Sequence, residues 1–147
     1  MKTHFFNSRL ANTILFPGYQ AITLLSLSFY QKKRSKVTDR CINHESIHQH
    51  QQRECFVVGA VLSIVLGLVF SWSWWLILPP LGLFYAFYLV EWMIGLIFNF
   101  FSNNKAYHTI SLEQEAYDYD DDLTYLTEKK RKPFAWVKYL GQIKYRQ

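Results

Sequence analysis

The sequence predicts a mainly α membrane protein, a two-span transmembrane helical hairpin preceded by a short N-terminal β-hairpin or strand and followed by a cytoplasmic-side ligand helix. Three observations predict it. Residues 56–78 carry no charge in 23 positions, residues 81–101 carry only Glu91, and the run Ile42-Asn43-His44-Glu45-Ser46-Ile47-His48 stands directly ahead of the first apolar stretch. At ~1.5 Å per residue, each stretch is long enough to cross ~30 Å of hydrocarbon as a helix.

Taken in order, residues 21–30 read as an interfacial strand or hairpin, because Leu25, Leu27 and Phe29 alternate with Ser26 and Ser28. Pro17-Gly18 and the basic segment from Lys32 to Lys36 punctuate its two ends. A motif helix is expected over 38–55, capped by Thr38 or Asp39, and free to continue without a break into the first span, 56–78. Such a helix puts the metal roughly two turns above the hydrocarbon. Pro79-Pro80 supplies the break before the second span, 81–101. Trp72, Trp74 and Trp75 place the turn at the far membrane surface. A ligand helix capped near Ser111 is expected over 110–127, and a basic, aromatic tail over 128–147.

With 147 residues there is room for one domain, and the mean hydropathy of -0.05 averages two apolar spans with two charged ends. Lysine and arginine fall almost wholly outside the hairpin, which puts both termini and the motif on the cytoplasmic side. The net charge of +5 then fits anionic lipid headgroups, and no nucleic-acid motif is present. Cys41 and Cys55 on one helix stand ~21 Å apart by helical rise and cannot bridge within it, in keeping with a reducing compartment. Residues 1–16 lack the pattern of a signal peptide, so the internal spans direct insertion.

His44 and His48 form an HExxH pattern. One turn apart on a helix, both imidazoles reach a single Zn²⁺, and Glu45 beside them is placed to act as general base on a water at the metal. A third protein ligand is required. Glu113 and Glu115 lie at the start of the helix that a two-pass hairpin returns to the motif's side. Taking ~100° per residue with Leu112 as zero, Ala116, Tyr119, Leu123 and Leu126 define a buried face, with Glu115 ~60° from its centre and Glu113 ~100° away on the other side. Glu115 is the expected ligand and Glu113 the alternative.

The stretch from Val37-Thr38 through Ile42-Asn43-His44-Glu45 to Gln51-Gln52 resembles a group of small bacterial membrane proteins with an INHExIHxxQQ-type motif. Their later segments are similar to Tyr88-Leu89-Val90-Glu91-Trp92 and Ser111-Leu112-Glu113-Gln114-Glu115-Ala116-Tyr117, so that the resemblance covers residues 16–139. It implies a zinc metallopeptidase of the gluzincin type in a bacterial cytoplasmic membrane, similar in layout to the membrane metalloprotease domains of antibiotic-sensing receptors. Better-known gluzincins often place an aspartate four residues after the ligand glutamate. Here Tyr119 or Tyr117 stands at that spacing, and Asp118 is the nearest acidic substitute. The site-2 protease pattern fits less well, since its HExxH lies within a span.

Glu91, costly inside hydrocarbon, is either a site residue or a group at a helix contact. Asp118, Asp120, Asp121 and Asp122 read as a solvated helix face, and Tyr117 and Tyr119 as packing groups or oxyanion donors. The expectation is a membrane-embedded zinc peptidase acting on peptide or membrane-protein substrates. The competing expectation is a non-catalytic, zinc-stabilised membrane sensor or assembly factor.

Overall fold

In the computed structural model of the chain, residues 3–15, 18–128 and 130–142 are described. Pro17, Lys129, the side chain of Trp74 and the tail beyond Gln142 lie outside the described residues, and the expectations placed on them go with them. The fold is mostly helical, 62%, with a small three-stranded sheet.

Two compact units are formed, one from Met1–His50 with Ala116–Lys132, the other from Gln51–Glu115 with Pro133–Gln147. In the first, β1 (His4–Phe5) and a short helix α1 (Arg9–Ile14) precede a hairpin of β2 (Ala21–Leu24) and β3 (Leu27–Tyr30). The strand order is β1-β3-β2, with β1 parallel and β2 antiparallel to β3. The alternating segment is thus a hairpin. Its two-residue turn, Leu25-Ser26, takes the left-handed conformation at both positions (φ 49° and 60°), the twist that closes a tight antiparallel pair. After the hairpin comes α2 (Asp39–Phe70), a continuous helix of 32 residues. Thr38 caps it, its Oγ1 accepting the Cys41 N–H at 3.2 Å.

The second unit contains the apolar half of α2, a bend at residues 71–73, a 3-10 turn (Trp74–Ile77), α3 (Leu78–Phe98), α4 (Asn103–Tyr107) and the start of α5 (Ser111–Tyr119). α2 and α3 pack antiparallel in a steady register. Cys55 shares a core cluster with Phe84, Gly59 lies against the Pro79 carbonyl so closely that a Cβ there would collide with it, and Ser63 Oγ donates to the Leu76 carbonyl at 2.6 Å. Trp136, on a 3-10 turn (Ala135–Tyr139), is buried in the same cluster, and its indole N–H donates to Glu54 Oε2 at 3.2 Å. Part of the predicted tail therefore belongs to the core. Among the described residues, α2 and α3 are the two helices long and apolar enough to cross a membrane.

Three element boundaries differ from the sequence reading. The first apolar helix ends at Phe70 rather than 78, because Ser71 turns the chain at φ 71° and Trp72 packs on Gly67, whose missing side chain leaves room for the ring. Pro79-Pro80 does not separate the helices but sits in the first turn of α3, where a missing N–H costs no hydrogen bond. The second helix therefore covers 78–98 rather than 81–101. The ligand helix stops at Tyr119 rather than 127, because the Asn43 Nδ2 lies 3.0–3.1 Å from the carbonyls of Tyr119, Asp120 and Asp122 and takes the bonds a further helical turn would have made.

Candidate metal centre

The i, i+4 spacing on α2 brings His44 and His48 together as expected. Their Nε2 atoms are 3.2 Å apart, near the ~3.3 Å that separates two imidazole nitrogens bound at ~2.0–2.1 Å to one tetrahedral ion. With Glu113 on α5 they form a group that could hold a metal ion, one ligand atom from each lying within 4.8 Å of the others. Glu113 and His48 are buried, and His44 is half-buried.

The carboxylate that joins the histidines is Glu113, and the expected Glu115 is not in the group. Glu115 is fully buried elsewhere: the Gln51 Nε2 donates to its Oε2 at 3.0 Å and to the Leu112 carbonyl at 2.9 Å. Leu123 and Leu126, two of the residues that define the expected buried face, fall beyond the end of α5 and do not share its helical period. The residues at the site are Glu113 and Tyr117 on α5, at i and i+4, and Asp120, the first residue past its end. Tyr88 on α3 holds the Glu113 carboxylate, its hydroxyl donating to Oε1 at 2.9 Å.

Asp120, expected on a solvated face, is only 3% exposed. Its Oδ2 stands 3.6 Å from His44 Nδ1, and its Oδ1 3.0 Å from Arg40 Nε. Burial by itself would raise its pKa, but His44 and Arg40 outweigh burial and hold it below the usual aspartate value. A carboxylate behind the distal nitrogen of a histidine orients the ring and raises its basicity toward a metal. Asp118, the substitute expected from spacing, is exposed. Tyr117 presents its ring edge-on to His44 at 4.8 Å between centroids, whereas Tyr119 stacks flat on Tyr125 at 3.9 Å and is a packing group.

Glu45 is buried beside the histidines on α2, and the hydroxyl of Thr23 on β2 donates to its Oε2 at 2.6 Å. Thr23 also bonds Ser28 on β3 at 2.8 Å, and the Gln49 Nε2 donates to Ser28 Oγ at 2.7 Å, which seats the hairpin on the motif helix. Glu91 is not in the group of His44, His48 and Glu113: its Oε2 accepts from Ser111 N at 2.9 Å and Ser111 Oγ at 2.7 Å. It supplies negative charge to the first turn of α5, where unsatisfied N–H groups favour it. Burial, followed by the Glu45 charge, pushes the Cys41 thiol up to about 11.

Two imidazoles and a carboxylate are a donor set that zinc takes in catalytic sites. Comparison of the chain with family models, with curated proteins and with solved structures returned no match.

Proposed function

We propose that the chain is an integral membrane zinc metallopeptidase of the gluzincin-like kind, with its site and both termini on the cytoplasmic side. The observation that carries this reading is the convergence of His44, His48 and Glu113 within 4.8 Å, next to the Glu45 carboxylate on the same helix turn. The resemblance to bacterial membrane proteins with the INHExIHxxQQ-type motif supports it, as do the two long apolar helices and the cationic residues outside them.

His44, His48 and Glu113 would hold the zinc, with Tyr88 and Asp120 fixing the orientation of Glu113 and His44. Bound zinc supplies Lewis-acid polarisation of a carbonyl and a water acidified toward ~7. Glu45 takes the proton from the attacking water and returns it to the departing amine. The Thr23 hydroxyl holds Oε2 of Glu45, which leaves Oε1 to carry that proton. β2 is an edge strand of the sheet and bears Thr23, so an extended peptide pairing along β2 is drawn past Glu45.

Burial of His48 (7% exposed) and Glu113 (2%) favours a second reading, in which the same metal ties α2 to α5 in a non-catalytic sensor or assembly factor. Glu45→Gln separates the two. Zinc content retained with loss of cleavage of co-expressed membrane proteins supports the peptidase, whereas unchanged cleavage in that variant leaves the structural role.

A further inference from the structure

The exposed apolar surface of α3 continues well past the point where that of α2 stops. On α2 the apolar run ends at Phe56, close to the exposed Arg53. From Phe56 to Phe70 the helix rises only about 21 Å, short of the ~30 Å hydrocarbon layer. Gln51 and Tyr88 stand level, because both reach the first turns of α5: Gln51 bonds Leu112 and Glu115, and Tyr88 bonds Glu113. Below that level α3 runs on for ten residues, about 15 Å. Its outward side chains stay apolar, with Leu89, Val90, Met93 and Ile97 each more than half exposed. The one charge in that stretch, Glu91, is turned onto Ser111. Phe100 and Phe101 follow, 94% and 77% exposed in left-handed backbone (φ 53° and 59°), and only then do the exposed polar residues Asn103, Asn104 and Lys105 begin.

We propose that acyl chains cover this lower face of α3 down to about Met93, with Phe98, Phe100 and Phe101 in the headgroup layer, so that the candidate metal centre stands at the hydrocarbon edge. The lengths match a bilayer. The 19 residues from Phe70 to Gln51 and the ten from Tyr88 to Phe98 add to about 44 Å. A bilayer with both interfacial layers measures ~40–45 Å. Trp72 and Trp75, both exposed at the opposite end, then occupy the far interfacial layer. His48, three residues beyond Gln51 on α2, is about 4.5 Å further along the helix rather than two turns clear of the lipid. The inference rests on the membrane insertion proposed above but not on hydrolysis.

The test uses the full chain in phosphatidylcholine–phosphatidylglycerol nanodiscs, with Cys41→Ser and a single added cysteine reacting with a membrane-impermeant maleimide. Met93→Cys and Val65→Cys are each expected to label at least about tenfold more slowly than Asn104→Cys, since a thiol in hydrocarbon does not form the reactive thiolate. Val90→Cys, on the same exposed stretch of α3, repeats the measurement should Met93→Cys fail to fold. Labelling of both α3 cysteines at the Asn104→Cys rate, with Val65→Cys protected, overturns the proposal and leaves hairpin insertion standing. Fast labelling of Val65→Cys overturns both.

Discussion

The Nδ1 of His44 and the Oδ2 of Asp120 face each other at 3.6 Å, across the point where α5 ends. Asn43, one residue before His44, creates that end by capturing the carbonyls of Tyr119, Asp120 and Asp122. Neighbouring residues of the motif thus supply a candidate metal ligand and the group that sets a carboxylate behind it. Asp120→Asn is expected to weaken zinc binding by about 10–100-fold, the usual cost of losing such a partner, while Asp118→Asn leaves it unchanged. Competition with a chromophoric chelator measures both.

Tyr88 holds the Glu113 carboxylate from α3 through a single hydroxyl. Tyr88→Phe keeps the ring and removes only that bond, so zinc affinity should fall about tenfold with the fold intact. Chelator competition together with circular dichroism reads the two effects separately.

Thr23 is expected to matter to rate and not to metal. Thr23→Val removes the hydrogen bond to Glu45 Oε2. A hydrogen bond to a charged group is worth about 1.5–3 kcal/mol, so turnover should drop by at least about tenfold. Zinc content should stay at the wild-type level. Loss of zinc from this variant would show that the hairpin shapes the ligands rather than the base.

Ser111→Ala removes one of two hydrogen bonds to the buried side of Glu91 and loosens the start of α5. A loss of about 1–2 kcal/mol in unfolding free energy is expected, with zinc affinity reduced because Glu113 lies two residues on. Thermal unfolding with and without chelator checks it.

Local periodicity carried much of this site. The four-residue spacing of His44 and His48 was legible because both lie on one helix, and the hairpin was legible because its alternation has a period of two. The place of Glu113 beside the two histidines was not legible in the same way. That place depends on where α5 ends, and that end is set by Asn43, some 76 residues earlier in the chain. Asp120 was hidden inside an acidic run that reads as solvated, and only the Arg40 and His44 contacts distinguish it from Asp118 and Asp121. The spacing of Glu113, Tyr117 and Asp120, four and then three residues, was the signal available. The bend after Phe70 was missed because Pro79-Pro80 is the stronger local breaker, whereas the turn depends on Trp72 meeting Gly67.

In the proposed site, α2 and α5 together hold zinc through His44, His48 and Glu113. Metal content of the purified full chain, compared among wild type, Glu113→Ala and Glu115→Ala, is the measurement that decides it. The expected result is one zinc per chain in wild type, retention in Glu115→Ala when the protein remains folded, and loss in Glu113→Ala. Zinc retained in Glu113→Ala and lost from a folded Glu115→Ala would contradict it.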